Sequence, residues 1–77
     1  MAVTLGDLKP GQSGVIRHIR GSGPIKRRLI DMGLTPGTRV MVFKIAPLGD
    51  PLELHLRGYS LSIRKDDALN IDMAEGT

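Results

Sequence analysis

Hydrophobic and polar positions alternate most regularly between residues 52 and 63: Glu53 and His55 separate Leu52, Leu54 and Leu56, and Ser60 and Ser62 separate Tyr59, Leu61 and Ile63. A period of two is that of a strand with one face on a core. With Arg57-Gly58 as a two-residue turn, Leu56 opposes Tyr59, Leu54 opposes Leu61 and Leu52 opposes Ile63, so the apolar side chains of this hairpin share one face. Segment 38–46 carries apolar residues on both parities and is expected to be a strand covered on both faces for part of its length. Segment 14–20 alternates imperfectly, because Ile16 and Ile19 fall on opposite parities; a bulge between them lets both point inward. Residues 64–68 read as a turn or one helical turn, and 69–73 as a last short strand.

Helical spacing occurs once. Ile25, Leu29 and Met32 stand at i, i+4 and i+7, with Lys26, Arg27, Arg28 and Asp31 on the polar side. Pro24 suits the first helical position, Ser22 or Gly23 the N-cap, and Gly33 the left-handed position after the helix, with Leu34 closing over its end. Leu8-Lys9-Pro10-Gly11 and Leu34-Thr35-Pro36-Gly37 each open a strand: Pro presets φ and Gly supplies the positive φ of a type II turn. Ala46-Pro47-Leu48-Gly49-Asp50-Pro51 cannot continue a regular ladder and forms a shaped loop. These elements predict one domain over 1–77, mainly β, in which about five strands close most of their edges against each other and a short helix is inserted between the first two. An SH3-like barrel is expected, with an OB-type barrel as the main rival.

The chain has 77 residues and no Cys, so neither disulfides nor thiolate metal sites supplement a small core. No apolar run reaches the roughly 18 residues of a membrane span, and the N-terminus lacks the basic and apolar regions of a leader; the expected location is cytoplasmic, without membrane insertion. The formal net charge of +3 favours acidic partners. Arg17, Arg20, Lys26, Arg27 and Arg28 gather around the first loop and helix and raise nucleic-acid binding as one reading. Phe43 and Tyr59, however, fall at interior parities, leaving no exposed aromatic platform for bases.

His18 and His55 lie on different strands without ligand-like spacing, so neither a metal site nor a ferrous iron chaperone is indicated by motif. The serines fit no nucleophile motif, and Gly21-Ser22-Gly23 lacks the ending of a phosphate loop. No catalytic, cofactor or metal residues are therefore assigned. An aliphatic anchor with a charged rim suits a protein contact instead. Arg27, Arg28, Met32, Leu34, Pro47 and Leu48 are the candidates, although Met32, Leu34 and Leu48 are equally compatible with a place in the core.

Three strings resemble the FeoA family. Arg28-Leu29-Ile30-Asp31-Met32-Gly33-Leu34-Thr35-Pro36-Gly37 is similar to its Arg-Leu-x-x-Met-Gly-Leu-x-Pro-Gly signature, Ala46-Pro47-Leu48-Gly49-Asp50-Pro51 to its central loop, and Arg57-Gly58-Tyr59-Ser60-Leu61-Ser62-Ile63-Arg64 to its hairpin, with Ile63 in place of the usual Leu. The resemblance implies an SH3-like barrel with a helical insertion. It also implies a cytoplasmic, non-enzymatic accessory that carries no iron itself and contacts the FeoB membrane iron transporter; weak self-association is a separate expectation. FeoA-like domains also occur appended to metal-dependent repressors; with no DNA-binding helix pair ahead of the domain, a free-standing transport accessory is the expectation.

Overall fold

The computed structural model describes residues 3–21 and 23–74. Six antiparallel strands, β1 (Val3–Thr4), β2 (Ser13–Ile19), β3 (Arg39–Ile45), β4 (Leu52–Leu56), β5 (Tyr59–Ile63) and β6 (Ile71–Met73), form one sheet in the order β1-β6-β2-β3-β4-β5. Helix α1 (Gly23–Asp31) joins β2 to β3, and the single turn α2 (Lys65–Ala68) joins β5 to β6. Inward side chains of β2 through β6 meet in one cluster with Leu5, Leu29, Leu34 and Ala68. A sheet can bring its distant strands onto one core only by curling round it.

The hairpin pairs as its alternation requires: Leu52 with Ile63, Leu54 with Leu61 and Leu56 with Tyr59. Arg57 (φ 49°) and Gly58 (φ 83°) both have positive φ, as a type I′ turn demands. The expected bulge in β2 is present as a register shift between Ile16 and His18, and both Ile16 and Ile19 are buried. Helix α1 ends in a Schellman arrangement, with the Gly33 N–H donating to Ile30 O at 2.9 Å and the Leu34 N–H to Leu29 O at 3.0 Å. At its start Gly23 has φ 65°, leaving Pro24 as the first residue with helical φ; the alternative cap, Ser22, lies outside the described residues.

Several expectations are corrected. A sixth strand, β1, pairs Val3 with Met73; two residues are too few to show a period. β3 is covered mainly on one face: Val40 and Val42 are buried, whereas Phe43 is 46% exposed. The cause is a second bulge, between Val42 and Lys44, which ends the inward parity and leaves Phe43 stacked on His55, ring centroids 4.3 Å apart. Tyr59 shares the face of Leu56 but lies beside the turn, 44% exposed. The helical stripe is narrower than its spacing implies, because only Leu29 is buried while Ile25 is exposed; α1 rests on the rim of the sheet.

Near the first strand the Thr4 N–H and hydroxyl both donate to Asp7 Oδ2, each at 3.0 Å. These two bonds, the backbone one foremost, hold the Asp7 carboxyl below its ordinary value.

Candidate docking surface

Two of the sequence strings singled out above clasp each other. The Tyr59 hydroxyl donates to Met32 O at 2.6 Å, and the Arg57 guanidinium donates to Thr38 Oγ1 at 2.9 Å. Gly33 makes the first of these contacts possible: at φ 98°, a Cβ placed on it would sit 2.3 Å from Tyr59 Oη. The end of α1 is thus bolted to the β4–β5 turn. A second tie joins α1 to α2, where Arg28 and Asp67 form an ion pair at 2.9 Å.

These ties bring Arg28 and Met32 to one recess of about 300 Å³, lined also by Ser62, Ile63, Arg64 and Asp67. Ser62 reaches a second recess of about 290 Å³, bordered by Pro47, Pro51 and Lys44. Arg28, Met32 and Pro47 therefore flank one end of β5. Arg27 lines a different, more open recess on α1 with Gly23, Lys26 and Ile30. Leu48, at the loop tip, is 96% exposed. Leu34 is the correction: it is fully buried, because the Schellman turn folds it back over Leu29, and it has no surface to offer a partner.

Among the basic residues, Arg20 pairs with Asp72 at 3.1 Å and also donates to Leu69 O. Arg17, Lys26 and Arg27 have no ion-pair partner among the described residues. His18 lies 3.7 Å from Asp72, and His55 3.9 Å from Glu53. Among the described residues no group of three or more His, Cys, Asp and Glu side chains could hold a metal ion. Ser60 stands opposite His55 in the ladder, and Thr4 and His18 both stand opposite Asp72, so a hydroxyl, an imidazole and a carboxylate share a face at each place; no hydrogen bond joins Ser60 to His55 among the described residues. No described helix is long and apolar enough to cross a membrane.

Reasoning from sequence missed the Arg57 and Tyr59 ties and the Phe43–His55 stack. The positive φ required at Gly33 and at Arg57-Gly58 marked both partners of the clasp as turns, but nothing local joins residues 27 positions apart.

A small curled antiparallel sheet with one inserted helix, whose grooves and exposed loop lie outside its core, is an SH3-like β domain. The chain belongs to the FeoA domain family, whose profile matches residues 3–74. It is 33% identical over 69 residues to an Fe(2+) transport protein A/Fe(2+) transporter FeoB fusion protein of Porphyromonas gingivalis, a match covering 90% of this chain and 8% of that protein. A solution structure of an FeoA-like protein from Clostridium acetobutylicum is 34% identical with a TM-score of 0.88, covering 95% of this chain and 85% of the other. The crystal structure of an FeoA from Stenotrophomonas maltophilia complexed with zinc, an SH3 domain protein, is 25% identical with a TM-score of 0.81, covering 95% and 91%.

Proposed function

We propose that this domain is a cytoplasmic accessory of ferrous iron transport that acts by binding FeoB rather than by chemistry of its own. The observation that carries the reading is the Porphyromonas gingivalis relative, in which the same kind of domain and an FeoB transporter share one chain. Fusion makes a contact intramolecular and holds the modules at an effective concentration in the millimolar range, which is useful only where the two work together. On this chain the exposed Leu48 and Arg27 and the Arg28–Met32 side of α1 supply an apolar anchor with a charged rim. To regulate the transporter, the domain must bind one of its conformations better than another, since equal affinity for both shifts neither.

The test is co-purification of FeoB with the tagged domain from membranes, for the wild type and for Leu48→Asp and Arg27→Glu. Both substitutions are at exposed positions and are expected to leave the fold intact while weakening retention. Full retention by both folded variants would reject this surface, and no retention by the wild type would reject the reading itself.

A further inference from the structure

Among the described residues the β5 edge of the sheet is open, and its hydrogen-bonding direction follows from bonds made by β3, two strands away. On β3, the Val42 N–H donates to Gln12 O at 2.9 Å and Val42 O accepts from the Gly11 N–H at 2.8 Å. The Val42 main chain therefore faces β2, and that of Met41 faces β4. Met41 pairs with His55, so within β4 the main chain of His55 faces β3 and that of Leu54 and Leu56 faces β5. Their partners Leu61 and Tyr59 face back toward β4, which turns the N–H and C=O of Ser60 and Ser62 outward, since successive residues of a strand alternate. β5 ends the strand order, and among the described residues Ser60 and Ser62 make no backbone bond outside the sheet.

We propose that β5 is a strand-addition site for an extended partner segment bearing carboxylates at its ends. An added strand would bond Ser60 and Ser62 through its main chain. Its alternate side chains would fall toward Leu61, Tyr59 and Met32, which are only partly covered, and those between them toward the Ser60 and Ser62 hydroxyls. Charge favours this occupant over the self-pairing that engages both serines of each copy. Arg57 and Arg64-Lys65 bracket the strand; antiparallel self-pairing that joins Ser60 to Ser62 of the other copy sets Arg57 against Lys65 twice, and like charges directly opposed are unfavourable. Asp67 is paired with Arg28 at 2.9 Å, whereas Asp50, bonded to the neutral Lys65 N–H at 3.1 Å, and Asp66 keep their charge beside Lys65; Arg57 and Arg64 remain the cations at the two ends of β5. This site stands apart from the identity of the transport partner and is tested without it.

The probe is the acetylated, amidated peptide Asp-Glu-Val-Thr-Val-Glu-Asp, with the same peptide carrying Lys at its acidic positions as the control. Amide exchange by NMR on the whole chain is expected to show Ser60 and Ser62 fast, and Leu61 and Ile63 protected. The acidic peptide slows Ser60 and Ser62 by at least tenfold at saturation, whereas the Lys peptide does not. N-methylation of the two peptide amides that face the edge weakens binding about thirtyfold, the worth of two net hydrogen bonds. Ser62→Pro removes one edge donor from the protein and Arg64→Glu reverses one bracket, so a folding defect in the first leaves the second as a check; each weakens binding severalfold. Three results would overturn the proposal: no protection of Ser60 and Ser62 at millimolar acidic peptide, equal protection by the Lys peptide, or protection in the free protein that rises with its concentration and so reports a second copy.

Discussion

Replacing Gly33 by Ala tests the clasp between α1 and the β4–β5 turn. The residue sits at φ 98°, and the new methyl would lie 2.3 Å from Tyr59 Oη but 3.6 Å from Cζ. A left-handed L-residue costs about 1–2 kcal/mol, and expelling the phenol forfeits its bond to Met32 O, about 1 kcal/mol net. Gly33→Ala should therefore lose about 2–3 kcal/mol, a large share of the roughly 4–12 kcal/mol expected for a domain this size. Tyr59→Phe alone removes the bond and should lose about 1 kcal/mol. In the Tyr59→Phe background the hydroxyl is gone, so Gly33→Ala there should cost only the backbone component, about 1 kcal/mol less than in the wild type. The measurement is urea unfolding of the four proteins followed by circular dichroism, because Tyr59 is the sole Tyr and there is no Trp. A cost for Gly33→Ala that is the same in both backgrounds to within about 0.3 kcal/mol would refute the close approach as the reason for glycine.

Two further predictions concern stability. Leu34→Ala should cost about 2–5 kcal/mol in urea unfolding, as truncation of a fully buried Leu does, while the Leu48→Asp variant used in the binding test stays within about 0.5 kcal/mol of the wild type; equal effects would contradict the burial assigned to Leu34. Asp7 has a folded-state value lowered from an ordinary 3.8, chiefly by the Thr4 N–H and then by the Thr4 hydroxyl, so its contribution is complete above the unfolded value and disappears as pH falls through the folded one. The urea midpoints of the wild type and Asp7→Asn should thus differ near neutrality and converge in acid below that value; a gap that widens in acid would be the wrong sign.

Most of the sheet could be read from the chain because its information is local. The β4–β5 register follows from a period of two around a turn of fixed length, and the β2 bulge from the need to bury both Ile16 and Ile19. Phe43 misled because a bulge in β3 moves it outward, and that bulge reflects how β4 pairs rather than anything in β3 itself. Ile25 misled because helical spacing identifies a face without saying how far the sheet beneath it extends. The docking residues are not separable in this way: Leu48 and Leu34 suit surface or core equally in the sequence, and it is the loop tip that exposes the first and the turn after Gly33 that buries the second. The open edge at β5 depends on the order of strands across the sheet, which no stretch of residues records.

The pairing of Val3 with Met73 places the first and last described strands side by side, with Cα atoms on the order of 5 Å apart. Polypeptide entering and leaving the domain passes through one narrow gateway, beside β6 and at the opposite end of the strand order from β5. Such a unit can be spliced onto either terminus of a longer protein, or between two of its segments, as a cassette whose attachment leaves the far margin uncovered. Covalent joining to a much larger chain, as in the Porphyromonas gingivalis relative, then requires no rearrangement of the barrel.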